Sequence, residues 1–395
     1  MRPTDENAVV ELVREAMARS QRLELRGGGS KGDIGAPVDD AAVLDLTGLR
    51  GIVDYDPSEL VLTVRAGTPW VEIERALAAE RQMLACEPPD VATAFGRTPG
   101  QMTVGGLVAS GLSGPRRVVA GSVRDHVLGF RAVSGRGELF VGGGKVVKNV
   151  TGYDLPKLLT GSWGRLAALT EITLKVLPAP EVARAVALSG LDASTAWQCL
   201  ARVLGSSVGA TAAMHFGPGT AGAEPLTVLR LEGFAPSVAA RLQSLQDLFG
   251  SQYEWRALSE EEMRGLWGSL ASLDVLPRDR PIWRLSVPAR RAPELLGTLA
   301  AEDDRWLFDW GGAVCWLASH TEAERLRSTV AAAGGHAMLW CAAEPMRRRV
   351  PTFHPLPGAL RTLEERVRHQ FDPLGVFATS RFSGPAPVLG AVHAD

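Results

Sequence analysis

Apolar residues recur at helical spacing at the start of the chain. Val9, Val10, Val13 and Met17 share one face behind Thr4, a capping residue, and predict a first helix. The period then shortens to two. Residues 22–26 read as a strand, and residues 51–55 and 60–66 as a hairpin across Asp56-Pro57-Ser58-Glu59, with Leu60, Leu62 and Val64 alternating against Val61, Thr63 and Arg65. Thr68-Pro69 opens a helix that carries Trp70, Ile73 and Leu77. Residues 128–133 and 138–141 form a second hairpin, and a short helix, a break at Gly161-Ser162-Trp163-Gly164 and a strand at 169–177 follow. Pro178-Ala179-Pro180 reads as a linker. Beyond residue 181 the glycines thin out, and helices such as 236–248 alternate with strands such as 282–287, as in a separate α+β domain. An amphipathic helix at 358–370 and a loose tail at 385–395 close the chain, and no repeat of 20–50 residues is visible.

Length changes this picture little: 395 residues suggest roughly two domains. Charge excludes more. With 42 basic and 44 acidic residues the net charge is −2, which argues against a nucleic-acid binder. Four cysteines exclude a disulfide framework, and no apolar run reaches the length of about 18 residues needed to span a membrane. A reduced, cytosolic protein is the expectation.

The glycines carry the chemical signal. Gly27, Gly29 and Gly32 spell G-x-G-x-x-G, but Asp33-Ile34-Gly35-Ala36-Pro37 follows, and no dinucleotide-fold helix can begin there. Gly142-Gly143-Gly144-Lys145 continues into Val146-Val147 without the Ser or Thr of a phosphate loop. Residues 96–121 read as a further loop-rich stretch. Clustered glycines let backbone N–H groups converge on an anion. Several such loops within 150 residues fit a long phosphorylated cofactor, and a flavin dinucleotide is the best match.

Three segments then stand together: RGGGSKGDIG, TVGGLVASGLSGPRRVVAGSVRDHVLG and VVKNVTGYDLPKLLTGSWGRLAALTEITLKVLP. Over residues 25–180 they resemble the FAD-binding domain of the vanillyl-alcohol-oxidase type, and within it the glycolate oxidase group. Asp309-Trp310-Gly311-Gly312 and residues 371–377 add weaker matches. The resemblance implies an α+β fold: a two-subdomain FAD-binding domain (1–180), an α+β cap (181–350) and a C-terminal segment (351–384) packing back on the first domain. It places Arg26, Gly27, Gly28, Gly29, Ser30, Lys31 and Gly35 at the pyrophosphate. Thr103, Gly105, Gly106, Gly111 and Gly114 fall along the flavin, with Gly121 and Asp125 nearby. Lys148, Gly152, Tyr153 and Asp154 fall beside the isoalloxazine, and Val127 and Val133 near the adenine. Ser30 stands where covalent members have a histidine, so dissociable FAD is expected. The family's closing Phe-Asn-x-Gly-Arg is replaced by Phe377-Ala378-Thr379-Ser380-Arg381, which keeps Arg381 alone.

Oxidising a 2-hydroxy acid needs a carboxylate anchor and a base. Arg284, His215 and His354 are the candidates in the second domain. Cys315, His320, His336 and Cys341 have a zinc-like order, but the cysteines sit in apolar runs and read as buried thiols, so no metal is expected. Cys86 and Cys199 lack partners at iron–sulfur spacing, so electrons must leave the chain. The resemblance implies glycolate oxidation to glyoxylate in a complex with a homologous FAD subunit and an iron–sulfur subunit, cytoplasmic or peripheral at the inner membrane through those partners. A self-sufficient FAD oxidoreductase for another small hydroxy acid or alcohol, and a structural subunit with a weakened cofactor site, remain as alternatives.

Overall fold

The computed structural model describes residues 1–145 and 152–382. The first helix, Glu6–Ala18, is capped by Asp5, whose carboxylate accepts from the Ala8 amide at 2.9 Å, rather than by Thr4. It packs Val9 and Val13 over a two-stranded parallel sheet of Arg22–Arg26 and Ala41–Asp45. Residues 41–45 (Ala-Ala-Val-Leu-Asp) lack strand alternation, which is why only the first of the pair was legible. Between these strands runs the first glycine loop.

A five-stranded antiparallel sheet follows, in the order Ile52–Asp56, Val61–Arg65, Ala167–Lys175, Val127–Ser134, Leu139–Gly143. Both predicted hairpins are present, and the late strand inserts between them. Helices Trp70–Ala79 and Val104–Ser110 bury Trp70, Ile73, Leu77, Val104, Leu107 and Val108 against this sheet. The second helix corrects the loop reading of residues 96–121. Thr103 caps it, and a Cβ on Gly105 would sit 2.9 Å from the Ala66 carbonyl oxygen. The glycine therefore serves close packing inside a helix, not a turn.

The cap is an eight-stranded antiparallel sheet built from two copies of one pattern. The first copy comprises strands Val182–Ser189, Ala212–Phe216, Leu226–Gly233 and Arg256–Ala257 with helices Ala193–Leu204 and Ala235–Phe249. The second comprises strands Ile282–Ser286, Arg305–Asp309, Val314–Ala318 and His336–Cys341 with helices Ala292–Leu299 and Ala323–Ala332. The copies join where His215 and Phe216 pair with Phe308 and Leu307. The duplication preserves strand order and not residues, so a search for sequence repeats misses it.

One face of the cap sheet is covered by its helices. The other packs on the first domain, where Ile34, Val91, Ala94 and Leu112 join Phe216, Leu307, Trp316 and Trp340 in one core. Four ionised side chains lie in the same seam. Arg230 reaches both oxygens of Glu87 (2.6 and 2.7 Å), and Arg116 both oxygens of Glu232 (2.9 Å each). After the helix Gly358–Phe371 the chain returns to the first domain: the Leu23 amide donates to the Val376 carbonyl at 2.7 Å, and Val376 and Phe377 enter the core under the first helix.

Candidate cofactor cleft

The strand Arg22–Arg26 ends against the segment that leads into Thr103, and the contact is too close for any side chain. A Cβ on Gly28 would lie 1.5 Å from the Gln101 carbonyl oxygen. Gly29, at φ 75°, turns the chain in the left-handed region and faces open space. The backbone amides of Gly28, Gly29, Ser30 and Lys31 have no acceptor among the described residues. Four successive unpaired N–H groups are left for an outside acceptor, and an anion is the kind of group such a run can hold.

Lys31 completes it. Its side chain is buried at 8% exposure, and among the described residues it makes one long hydrogen bond, 3.5 Å to Ser30 Oγ. No carboxylate pairs with it among the described residues. Burial lowers its pKa from 10.5 to about 8. An enclosed ammonium beside free amides calls for a negatively charged partner.

These groups line a half-open cleft in the first domain. Its lining draws on Arg26 and Gly27 to Gly32, on Thr103, Gly105, Gly106 and Ser110, and on Trp163, Gly164, Ala167 and Leu169. Arg381 holds the loop in shape. Its guanidinium donates to the Ile34 carbonyl (2.8 Å), to Glu24 Oε1 (2.6 Å) and to the Lys31 carbonyl. Glu24 is itself buried, so loop and C-terminal segment are locked by a charge pair that excludes water. Among the described residues lining the cleft there is no His, Cys or Tyr to bond a flavin covalently. The free amides and the buried ammonium fit the diphosphate of a dinucleotide.

Comparison with known proteins agrees. Residues 1–143 match the model of the FAD binding domain. Glycolate oxidase subunit GlcE of Escherichia coli is 37% identical over 379 residues, covering 95% of this chain and 96% of that protein. The chain belongs to the GlcE family of glycolate oxidase subunits. A D-lactate dehydrogenase of Anaerostipes hadrus is 37% identical over 139 residues, 35% of this chain and 27% of that protein. Alkyldihydroxyacetonephosphate synthase has the same fold at TM-score 0.67 and 15% identity, over 95% of this chain and 76% of its own. The fold is thus the α+β vanillyl-alcohol-oxidase type, and the protein is a FAD-dependent oxidoreductase of the class that acts on CH–OH groups.

The remaining candidates spread away from the cleft. Gly35 sits behind the loop against Arg381. Gly111 ends the helix Val104–Ser110 beside Gly161, and Gly114 packs on the Glu87 carbonyl at the domain seam. Gly121 and Asp125 belong to a capping box with Ser122, and Val127 and Val133 lie in the hydrophobic cores under the sheet. Tyr153 is exposed, Gly152 adopts φ 77°, and Asp154 caps Leu155–Leu159 and pairs with Lys157 at 2.7 Å. Lys148 lies outside the described residues. Trp163 and Gly164 were missed as lining residues although the Gly-Ser-Trp-Gly break marked them; Trp163 needs a left-handed backbone (φ 57°) to reach the cleft.

Of the catalytic candidates, His215 is fully buried on the helix side of the cap sheet, 2.9 Å from Thr227 Oγ1 and stacked near Trp306 and Phe308. Burial lowers its pKa to about 4, so it is neutral core, turned away from the first domain. His354 accepts from the Ala337 amide at 3.3 Å beside the sheet's edge strand, outside the cleft. Only Arg284 faces the first domain. Cys315 and Cys341 pack in different core clusters, so the zinc-like order does not converge.

Near Arg284, burial raises the Asp309 carboxyl from 3.8 to about 7. Unfolded, it ionises near 3.8, so between those values the folded chain holds a proton that the unfolded chain has released. Stability therefore falls as pH rises through that window. Asp309→Asn keeps an acceptor for the Trp310 amide and removes the titration. Its melting temperature is expected to exceed the parent's above pH 7, with the margin closing toward pH 4. A margin that does not vary with pH overturns this assignment.

Proposed function

We propose that this chain is the FAD-carrying subunit of a glycolate oxidase complex, taking part in the two-electron oxidation of glycolate to glyoxylate. The observation that carries this is the run of four free amides ending in the buried Lys31 ammonium, in a chain alike over its length to a glycolate oxidase subunit. FAD, when bound, supplies a two-electron acceptor. The protein's part is to neutralise the diphosphate with Lys31 and the amides of residues 28–31, and to hold that loop rigid through Arg381 and Glu24. Ser30 and the lack of His, Cys or Tyr among the described lining residues support dissociable FAD.

The electrons go to a partner. The four cysteines are all free and lie in four separate core clusters, so the chain cannot assemble a thiolate-bound cluster of its own. A homologous FAD subunit and an iron–sulfur subunit are the partners this reading requires. No helix among the described residues is long and apolar enough to cross a membrane.

The test is anaerobic. The FAD-loaded chain is mixed with glycolate alone and then with its partner subunits, and flavin bleaching is followed. Bleaching only with partners is the expected result; bleaching of the isolated chain replaces the relay role by a self-sufficient one. A chain that never takes up FAD leaves the structural-subunit reading.

A further inference from the structure

The cap face that meets the first domain is apolar along most of its strands: Met214, Phe216, Leu307, Val314 and Met338 all belong to the shared core. Apart from Arg230 and Glu232, which pair across the seam, it turns polar where Arg284 and Ser286 project together from Ile282–Ser286 beside Asp309. A guanidinium in such surroundings is costly unless its donors are used. Arg284 is half-buried, and among the described residues its side chain makes one hydrogen bond, 3.3 Å to Ser286 Oγ. No carboxylate lies within 4.0 Å of it among the described residues.

What holds Arg284 is aromatic. Its guanidinium carbon lies 5.2 Å from the Trp310 ring centre and 5.8 Å from that of Trp316. Arg117, from the first domain, lies 4.3 Å over the same Trp310 ring and also lacks an ion pair among the described residues. Trp310 is fixed in turn by its indole N–H, which donates to the Gly114 carbonyl at 3.0 Å. Two positive charges thus converge on one indole. The neighbouring acid does not cancel them, because burial keeps Asp309 largely protonated below neutrality, and the four ionised groups of the seam balance among themselves. A guanidinium packed over an indole with most of its N–H groups unused can still offer them to the two oxygens of a carboxylate. A groove of about 390 Å³, lined by Arg117, Val119, Leu204 and Trp310, opens at the same indole, with Arg284 behind it rather than in its wall.

We propose that Arg284 and Arg117, stacked on Trp310, bind the carboxylate of a small 2-hydroxy acid at the seam between the FAD domain and the cap. Naming the ligand a hydroxy acid rests on the function proposed above; the charge and geometry of the site do not. Arg284 supplies the planar fork, and Arg117 draws the anion in from the mouth.

The FAD-loaded chain, without partners, is titrated calorimetrically with oxalate and glycolate, and with ethylene glycol as the uncharged control. Both acids are expected to bind and the diol not. Arg284→Met is expected to weaken oxalate binding by roughly ten- to a hundredfold, the usual range for a lost charge-assisted contact, with FAD content unchanged. Arg117→Gln, at an exposed position that folding tolerates, weakens it by a smaller factor. Should Arg284→Met fold poorly, Arg284→Lys keeps the charge without the fork and still loses affinity. Equal affinity in the parent, Arg117→Gln and Arg284→Lys overturns the site, as does failure of the parent to bind oxalate. A colourless chain that still binds oxalate through Arg284 sinks the flavin reading and leaves the site standing.

Discussion

Glu87→Ala lowers the stability of the folded chain by about 3 kcal/mol, the lower end of what breaking a buried ion pair costs. Glu87 sits on the first domain and takes both donors of Arg230, a cap residue whose side chain is only 6% exposed. It also accepts from the backbone amide of Arg116 at 3.1 Å. Without Glu87, Arg116 and Arg230 must share the single carboxylate of Glu232 in the same enclosed seam. The loss is expected in thermal unfolding as an earlier transition, and the two domains should begin to unfold apart. The companion experiment decides the mechanism. Removing both charges by Glu87→Met with Arg230→Met recovers most of the stability, because a well-packed apolar pair replaces buried ions at little cost. If the double variant is as unstable as the single one, the seam is held by shape alone and the ionic account is wrong.

Gly28→Ala empties the cleft. The added Cβ would meet the Gln101 carbonyl oxygen at 1.5 Å, and that atom is backbone, so the loop itself must move. Moving it misdirects the free amides of residues 28–31 and carries Lys31 away. Losing two charge-assisted hydrogen bonds weakens binding by roughly a hundred- to ten-thousandfold. The variant should purify colourless, with an unchanged circular dichroism spectrum. Retention of full flavin content at ordinary FAD concentrations would place the diphosphate elsewhere. Gly29→Ala is the graded control. Its Cβ meets nothing, so only the cost of its left-handed backbone remains, of order 1–2 kcal/mol.

Both variants test features that differ in how far the sequence reveals them. The loop was legible because glycines, turn residues and one lysine are chemically distinct and adjacent: Arg26 to Lys31, Thr103, Gly105 and Gly106 all reach the cleft. Gly114 and Gly121 are equally conspicuous in the sequence and serve packing and capping instead. A glycine records that a side chain is excluded and not what excludes it. The histidines misled for a related reason. His215 lies on a strand whose alternate residues face opposite sides of the cap sheet, and nothing local says which side meets the first domain. The second parallel strand, Ala41–Asp45, was invisible because its apolar residues do not alternate.

By itself the sequence determined both hairpins, the first helices, the change of texture near residue 181 and the family, because periodicity, glycine placement and motif order are local properties of the chain. Only the tertiary structure decided which face of the cap looks inward, that the cap is one pattern built twice, and that Glu87, Arg116, Arg230 and Glu232 meet in one seam. The same is true of Arg117 and Arg284, separated by a domain boundary and brought onto one tryptophan. Charges far apart in sequence interact only once burial has removed the water between them, and burial is a property of the assembled fold.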